Sequence, residues 1–233
     1  MIMNISHLKK SFGSKHVLQD INLNVEKGEI LGFIGANGSG KTTTLGCLTG
    51  SLAEDGGSLE INGIAKNSSL MYKRQFFYIP DTIHLFKNVS GRDWIRFVLQ
   101  LYGREAEEME SYVKRFAMEK DMDKPTGSYS FGMLHKTMLI AAFAVNPPIL
   151  IMDEPLNGLD PTSVALFKEE VKRYVFEGGT VLFSTHLLDV AEKICTTVAI
   201  LKDGRIQMHE EIGKAAGSQS LESLFMELQA HVE

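Results

Sequence analysis

Apolar and polar positions alternate along residues 15–26, KHVLQDINLNVE, as they do in a half-buried strand. A short, fully apolar run follows at Ile30-Leu31-Gly32-Phe33-Ile34, the pattern of a strand covered on both faces of a parallel sheet. Three similar runs come later, at Ile149–Met152, Val181–Ser184 and Thr197–Leu201. Between them the period lengthens to that of helices. Helices are predicted over Lys41–Leu48, Asn88–Gln100, Arg104–Lys120, 161–176 and 187–194, with a short amphipathic one at Leu221–Leu228. In the segment from Arg104, the positions Met109, Tyr112, Val113, Phe116 and Ala117 share one helix face. Residues 56–66, GGSLEINGIAK, predict a hairpin turning at Asn62-Gly63. Strands alternating with helices predict an α/β fold, a parallel sheet with helices on both faces.

Composition narrows this picture. The 233 residues are 44% hydrophobic and 23% charged, enough for one large α/β domain with a sizeable core. No apolar run reaches the ~18–20 residues of a membrane-spanning helix. The longest, Met138–Val145, is stopped by Asn146, Pro147 and Pro148. The first residues, MIMNISHLKKSFG, hold no apolar leader block, so secretion is not expected. Cys47 and Cys195 are far apart and have no zinc spacing with histidines, which argues against a disulfide framework. A net charge of −5 predicts no broadly basic face and no nucleic-acid partner. A cytoplasmic domain is expected.

Two motifs carry chemistry. Gly35-Ala36-Asn37-Gly38-Ser39-Gly40-Lys41-Thr42-Thr43 fits the P-loop pattern G-x-x-x-x-G-K-[ST], between a predicted strand and a predicted helix. Its glycines let successive N–H groups curl toward phosphate oxygens, and the helix N-terminus adds partial positive charge. Lys41 is expected to reach the β- and γ-phosphates, the Thr42 hydroxyl to ligate Mg²⁺, and Thr43 to support a phosphate contact. The second motif is Asp153-Glu154, at the end of the Ile149–Met152 run. At the carboxyl end of a parallel strand, Asp153 suits the Mg²⁺ shell and Glu154 suits a general base for water.

Taken in order with Asn157-Gly158-Leu159-Asp160, these motifs resemble the nucleotide-binding subunits of ABC transporters, from Phe12 to about Glu210. The resemblance implies a P-loop NTPase (RecA-like) core over about 1–87 and 140–212. An N-terminal antiparallel β subdomain, an α-helical signature subdomain over about 88–139 and a C-terminal helix over about 213–233 would complete it. It also implies ATP as nucleotide, His186 as the switch histidine beside the γ-phosphate, and Phe12 stacked on adenine.

Two segments depart from the family pattern. Where the family signature reads L-S-G-G-Q, this chain has Tyr129-Ser130-Phe131-Gly132-Met133. The retained Ser130 and Gly132 are expected at the γ-phosphate bound to a second subunit. Phe131 must turn away from phosphate or hinder its approach. The variant is similar to bacterial ABC-2-type exporters. Asp81 stands where the family has a glutamine. It can accept from a Mg²⁺-bound water but cannot donate as an amide does.

The implied function is ATP hydrolysis that closes and reopens a dimer, homo- or heteromeric, and drives export through a separate integral membrane permease. The subunit would sit peripherally on the inner face of the membrane. The alternative is a soluble ABC-type ATPase, or a regulatory ATP-binding module not coupled to transport.

Overall fold

The computed structural model describes residues 1–66, 69–215 and 220–230. In chain order the elements begin with β1 (Met3–Phe12), β2 (Lys15–Val25), β3 (Ile30–Gly35), α1 (Lys41–Thr49), β4 (Gly56–Ile61) and β5 (Ile64–Ala65). Then come α2 (Ser69–Lys73), β6 (Phe76–Ile79), α3 (Gly91–Tyr102), α4 (Met109–Arg115), α5 (Phe131–Val145) and β7 (Ile149–Asp153). The chain continues with α6 (Pro161–Phe176), β8 (Thr180–Thr185), α7 (Leu188–Ile194), β9 (Thr197–Lys202) and β10 (Arg205–Glu211). It ends with α8 (Ile212–Ala215) and α9 (Leu221–Ala230).

Two sheets form. A four-stranded sheet has the order β2-β1-β4-β5 and is antiparallel throughout. A six-stranded sheet has the order β10-β9-β3-β8-β7-β6. Its strands β9, β3, β8, β7 and β6 run parallel, and β10 closes one edge antiparallel to β9. Alternate side chains of each parallel strand serve different cores. Leu31 and Phe33 of β3 pack with α1 and the antiparallel sheet. Ile30 and Ile34 of the same strand join a second core built with α3 to α7. Burial on both faces is why these strands read as unbroken apolar runs.

The helices that follow β6 differ from the sequence expectation. The first starts at Gly91, not Asn88, because Ser90 caps it by accepting the Asp93 N–H at 3.1 Å. The second is much shorter than Arg104–Lys120. It ends at Arg115, and Ala117 takes a positive φ of 53°. The Ala117 N–H then donates to Lys114 O and the Met118 N–H to Val113 O, the paired bonds of a Schellman ending. Met118 takes the buried place and Ala117 is exposed. At the other end of the chain the tail helix runs to Ala230. The parts of the expected 213–233 helix at 216–219 and 231–233 lie outside the described residues.

A charge network ties α4 to α6. Fully buried Glu170 pairs with Arg115, and with Arg173 at 2.7 Å. The Arg173 guanidinium also donates to the Tyr112 hydroxyl at 2.7 Å. Burial pushes the Glu170 carboxyl up, against the pull of the two arginines.

Candidate nucleotide-binding site

The carboxyl ends of β3, β6, β7 and β8 lie on one edge of the parallel sheet, where α/β proteins open a crevice. The loop leaving β3 turns at Gly38 and Gly40, with φ of 81° and 112°. At Gly40 a Cβ would also lie 2.7 Å from the Leu18 side chain, so only glycine fits there. The chain then enters α1 at Lys41. Lys41 is buried, and its side chain folds back and donates to Gly35 O at 2.7 Å and Ala36 O at 3.3 Å. Burial pulls its pKa down, while Glu154 and Asp153 hold it up.

Asp153 ends β7, opposite Ser184 in the register of β8. The Ser184 hydroxyl donates to Asp153 Oδ1. Asp153 Oδ2 is buried with no hydrogen-bond partner among the described residues. Glu154 follows in a left-handed conformation, φ 48°, which strains a residue with a Cβ. Its N–H donates to Ser184 Oγ at 3.0 Å. Its carboxylate lies 3.0 Å from His186 Nδ1 and 3.9 Å from Lys41 Nζ. Asp81, just beyond β6, accepts from Asn157 Nδ2 at 2.9 Å.

These groups surround one cleft of about 490 Å³. Asn37, Gly38, Gly40, Lys41, Thr42 and Thr43 line it, with Asp81, Glu154, Asn157 and His186 across from them and Lys15 and Val17 beside them. Six of the sequence candidates are not on its wall, Ser130 and Gly132 of the signature segment among them. Gly35 is buried beneath it, as is Ser39, whose Oγ has no partner among the described residues. Asp153 is buried behind it. Phe12 stands half exposed at the end of β1, its ring 5.3 Å from Lys10 Nζ. Its cross-strand neighbour Lys15 does line the cleft.

The signature segment lies elsewhere in the chain's own surface. Ser130 caps α5, accepting the Met133 N–H at 3.3 Å, and neither Ser130 nor Gly132 lines the cleft. Gly132 admits the backbone of Gly158, whose O would be 2.8 Å from a Cβ there. The Phe131 ring lies against Gly158 and edge-on to His135, with ring centroids 4.9 Å apart. The ring nonetheless stays partly exposed, at 44%.

Ser184 and the Asn157 side chain were missed as site residues. Ser184 left one signal, a hydroxyl ending an apolar strand two residues before His186. Among the described residues no cluster of three or more His, Cys, Asp or Glu forms a self-contained metal site. What the cleft offers instead suits a cation shared with phosphates: the orphaned Asp153 Oδ2 and the exposed Thr42 hydroxyl.

A parallel sheet with a glycine-rich loop, a buried lysine and paired carboxylates at its carboxyl edge defines a P-loop NTPase. The chain belongs to the ABC transporter family of ATP-binding proteins, which bind and hydrolyse ATP to power transport; the family described as "ABC transporter" matches residues 18–157. It is 31% identical to the ABC-type transporter ATP-binding protein EcsA of Bacillus subtilis, covering 97% of this chain and 96% of that one. It is 30% identical to the lantibiotic transport ATP-binding protein SrtF of Streptococcus pyogenes, covering 96% of each. A solved structure described as the ATP binding subunit of an ABC transporter matches with a TM-score of 0.93 and 30% identity, over 98% of this chain and 100% of that one.

Proposed function

We propose that this chain works as one half of a head-to-tail pair, with a second copy or a relative, and drives export through a separate integral membrane permease. One observation carries the pairing: Ser130 and Gly132 lie off the wall of their own chain's cleft. A phosphate in that cleft therefore gains those groups only from another chain. The α1 N-terminus and Lys41 bind the phosphates, with Asn37, Ser39 and Thr43 shaping the loop. Closure of a second chain over the cleft excludes water and strengthens every charge interaction inside.

Glu154 then takes a proton from water as its oxygen attacks the γ-phosphorus and the bond to the ADP oxygen breaks. His186, 3.0 Å from the Glu154 carboxylate, holds that carboxylate and reaches the γ-phosphate. Thr42 and Asp153, with Asp81 through water, would hold Mg²⁺, which when bound neutralises charge on the phosphate oxygens. Phe12 offers an adenine face beside Lys15.

The region 88–139 is the unit proposed to meet the permease. It exposes Phe97 and Leu101 on α3. Residues 1–87 and 140–212 form the catalytic core, and 213–233 the C-terminal part. No helix among the described residues is long and apolar enough to cross a membrane, which fits a peripheral subunit on the inner face, its pore supplied by another chain. The relative named for lantibiotic transport supports coupling to a transport step.

The test is Glu154→Gln with ATP and Mg²⁺. Turnover should fall by about 100-fold or more and a dimer should accumulate on size-exclusion chromatography with light scattering. Unimpaired turnover removes Glu154 from the chemistry, and a chain that stays monomeric removes the paired site.

A further inference from the structure

The walls of the cleft differ in chemistry. Across from the glycine-rich loop, Glu154 faces His186 and Lys41, and Asp81 accepts from Asn157. The side wall formed by the start of β2 carries only Lys15 and Val17. Phe12, cross-strand from Lys15, stands next to that wall. Lys15 is exposed and makes no hydrogen bond or ion pair among the described residues. Its polar neighbours on the β1–β2 hairpin are engaged. Lys10 pairs with Asp55 Oδ1 at 2.9 Å, and the second Asp55 oxygen accepts the Ser11 N–H at 2.6 Å. The His16 Nδ1 lies 2.9 Å from Ser11 Oγ.

A nucleotide whose phosphates lie on the glycine-rich loop carries its base toward β2, the wall without a carboxylate. Val17 and the Phe12 ring offer faces there, and a face binds every purine alike. Selection therefore falls to the edge of the base. The Lys15 ammonium has three donors and no acceptor, and the Val17 side chain has neither. Adenine presents N7, an acceptor, next to its N6 amino group, a donor. Guanine presents O6 and N7, two acceptors side by side. An ammonium thus meets one acceptor and one opposing donor on adenine, but two acceptors on guanine.

We propose that Lys15 is a specificity-determining residue that reads the purine edge, so that the cleft binds 6-oxopurine nucleotides such as GTP at least as tightly as ATP. The inference rests on the cleft being the nucleotide site.

Isothermal titration calorimetry of the full chain with ATP, GTP and ITP, each with Mg²⁺, tests it. ITP keeps O6 and N7 but lacks the 2-amino group, so it separates the edge Lys15 reads from the rest of guanine. The unmodified chain should bind GTP and ITP with Kd values equal to or below that for ATP. Lys15→Ala and Lys15→Met should each weaken GTP and ITP by about fivefold, the low end for a base-edge contact because the site is open to solvent, and ATP by less than about twofold. Lys15→Arg, which keeps the donors, should retain the pattern of the unmodified chain. ATP bound more than about fivefold tighter than both GTP and ITP overturns the inference. So does an equal loss for all three nucleotides in the Lys15 variants, which would make Lys15 a phosphate contact, and so does no loss for any of them. Tight GTP with weak ITP assigns the selection to the 2-amino group and overturns the role of Lys15. A chain that binds none of the three overturns the nucleotide reading of the cleft itself.

Discussion

The Ser184 hydroxyl accepts the Glu154 backbone N–H at 3.0 Å and donates its own proton to Asp153, so one side chain fixes both carboxylates of the site. Glu154 needs such a tether, because its φ of 48° costs on the order of 1–3 kcal/mol. Ser184→Ala removes the tether and leaves Asp153 Oδ1 unpaired in the interior. Steady-state turnover should drop by roughly 10- to 100-fold while ATP affinity changes by less than about threefold, since the phosphate cradle is untouched. Turnover at the unmodified rate would show that Glu154 holds its geometry without Ser184.

Lys41 reports on the cradle itself. ATP at 100 times its Kd stabilises the folded chain by about 2.7 kcal/mol, which raises Tm by on the order of 5–10 °C for a chain of this size. Lys41→Ala should lose that rise at the same ATP concentration, as read by differential scanning fluorimetry. An undiminished rise would place the phosphates elsewhere.

Asp160 gives a prediction in pH. It caps α6, accepting the Ser163 N–H at 2.9 Å and the Ser163 hydroxyl at 2.8 Å, with Lys136 at 3.1 Å. The Ser163 N–H first, then its hydroxyl and Lys136, hold the carboxyl well below its ordinary value of 3.8. The folded chain therefore binds fewer protons here than the unfolded chain, and the contribution to stability is present above that value and lost on acidification below it. Asp160→Ala should cost about 1 kcal/mol near neutral pH in urea melts. The gap to the unmodified chain should close as pH falls below 3.8 and toward the depressed native pKa. A gap that stays constant with pH would show that the carboxylate charge contributes nothing.

Local chemistry was legible in the sequence; contacts across long separations were not. The apolar runs of β3, β7, β8 and β9 announced buried parallel strands because each is covered on both faces. The P-loop was legible because its function is written in consecutive backbone amides. The bonds Ser184–Asp153 and Asn157–Asp81 depend on which strands lie side by side, and 31 and 76 residues of chain separate the partners. The end of α4 was hidden for a different reason. Ala117 keeps the helical phase in sequence, yet it occupies the left-handed position where glycine usually marks the stop.

Phe131 and Gly158 lead to the last prediction. Gly158 has a φ of 74°, and a Cβ there would clash with Phe131 Cδ1. Gly158→Ala therefore carries two separable costs, a left-handed alanine worth about 1–2 kcal/mol and a clash with the ring. Phe131→Ala alone should cost about 1–2 kcal/mol, because the ring is partly exposed and loses contact with Gly158 and His135. In the double variant the clash is gone and the backbone strain remains. The combined loss should thus fall short of the sum of the single losses by at least about 1 kcal/mol in urea melts. Strict additivity would mean that the Phe131 ring does not rest on Gly158 in solution.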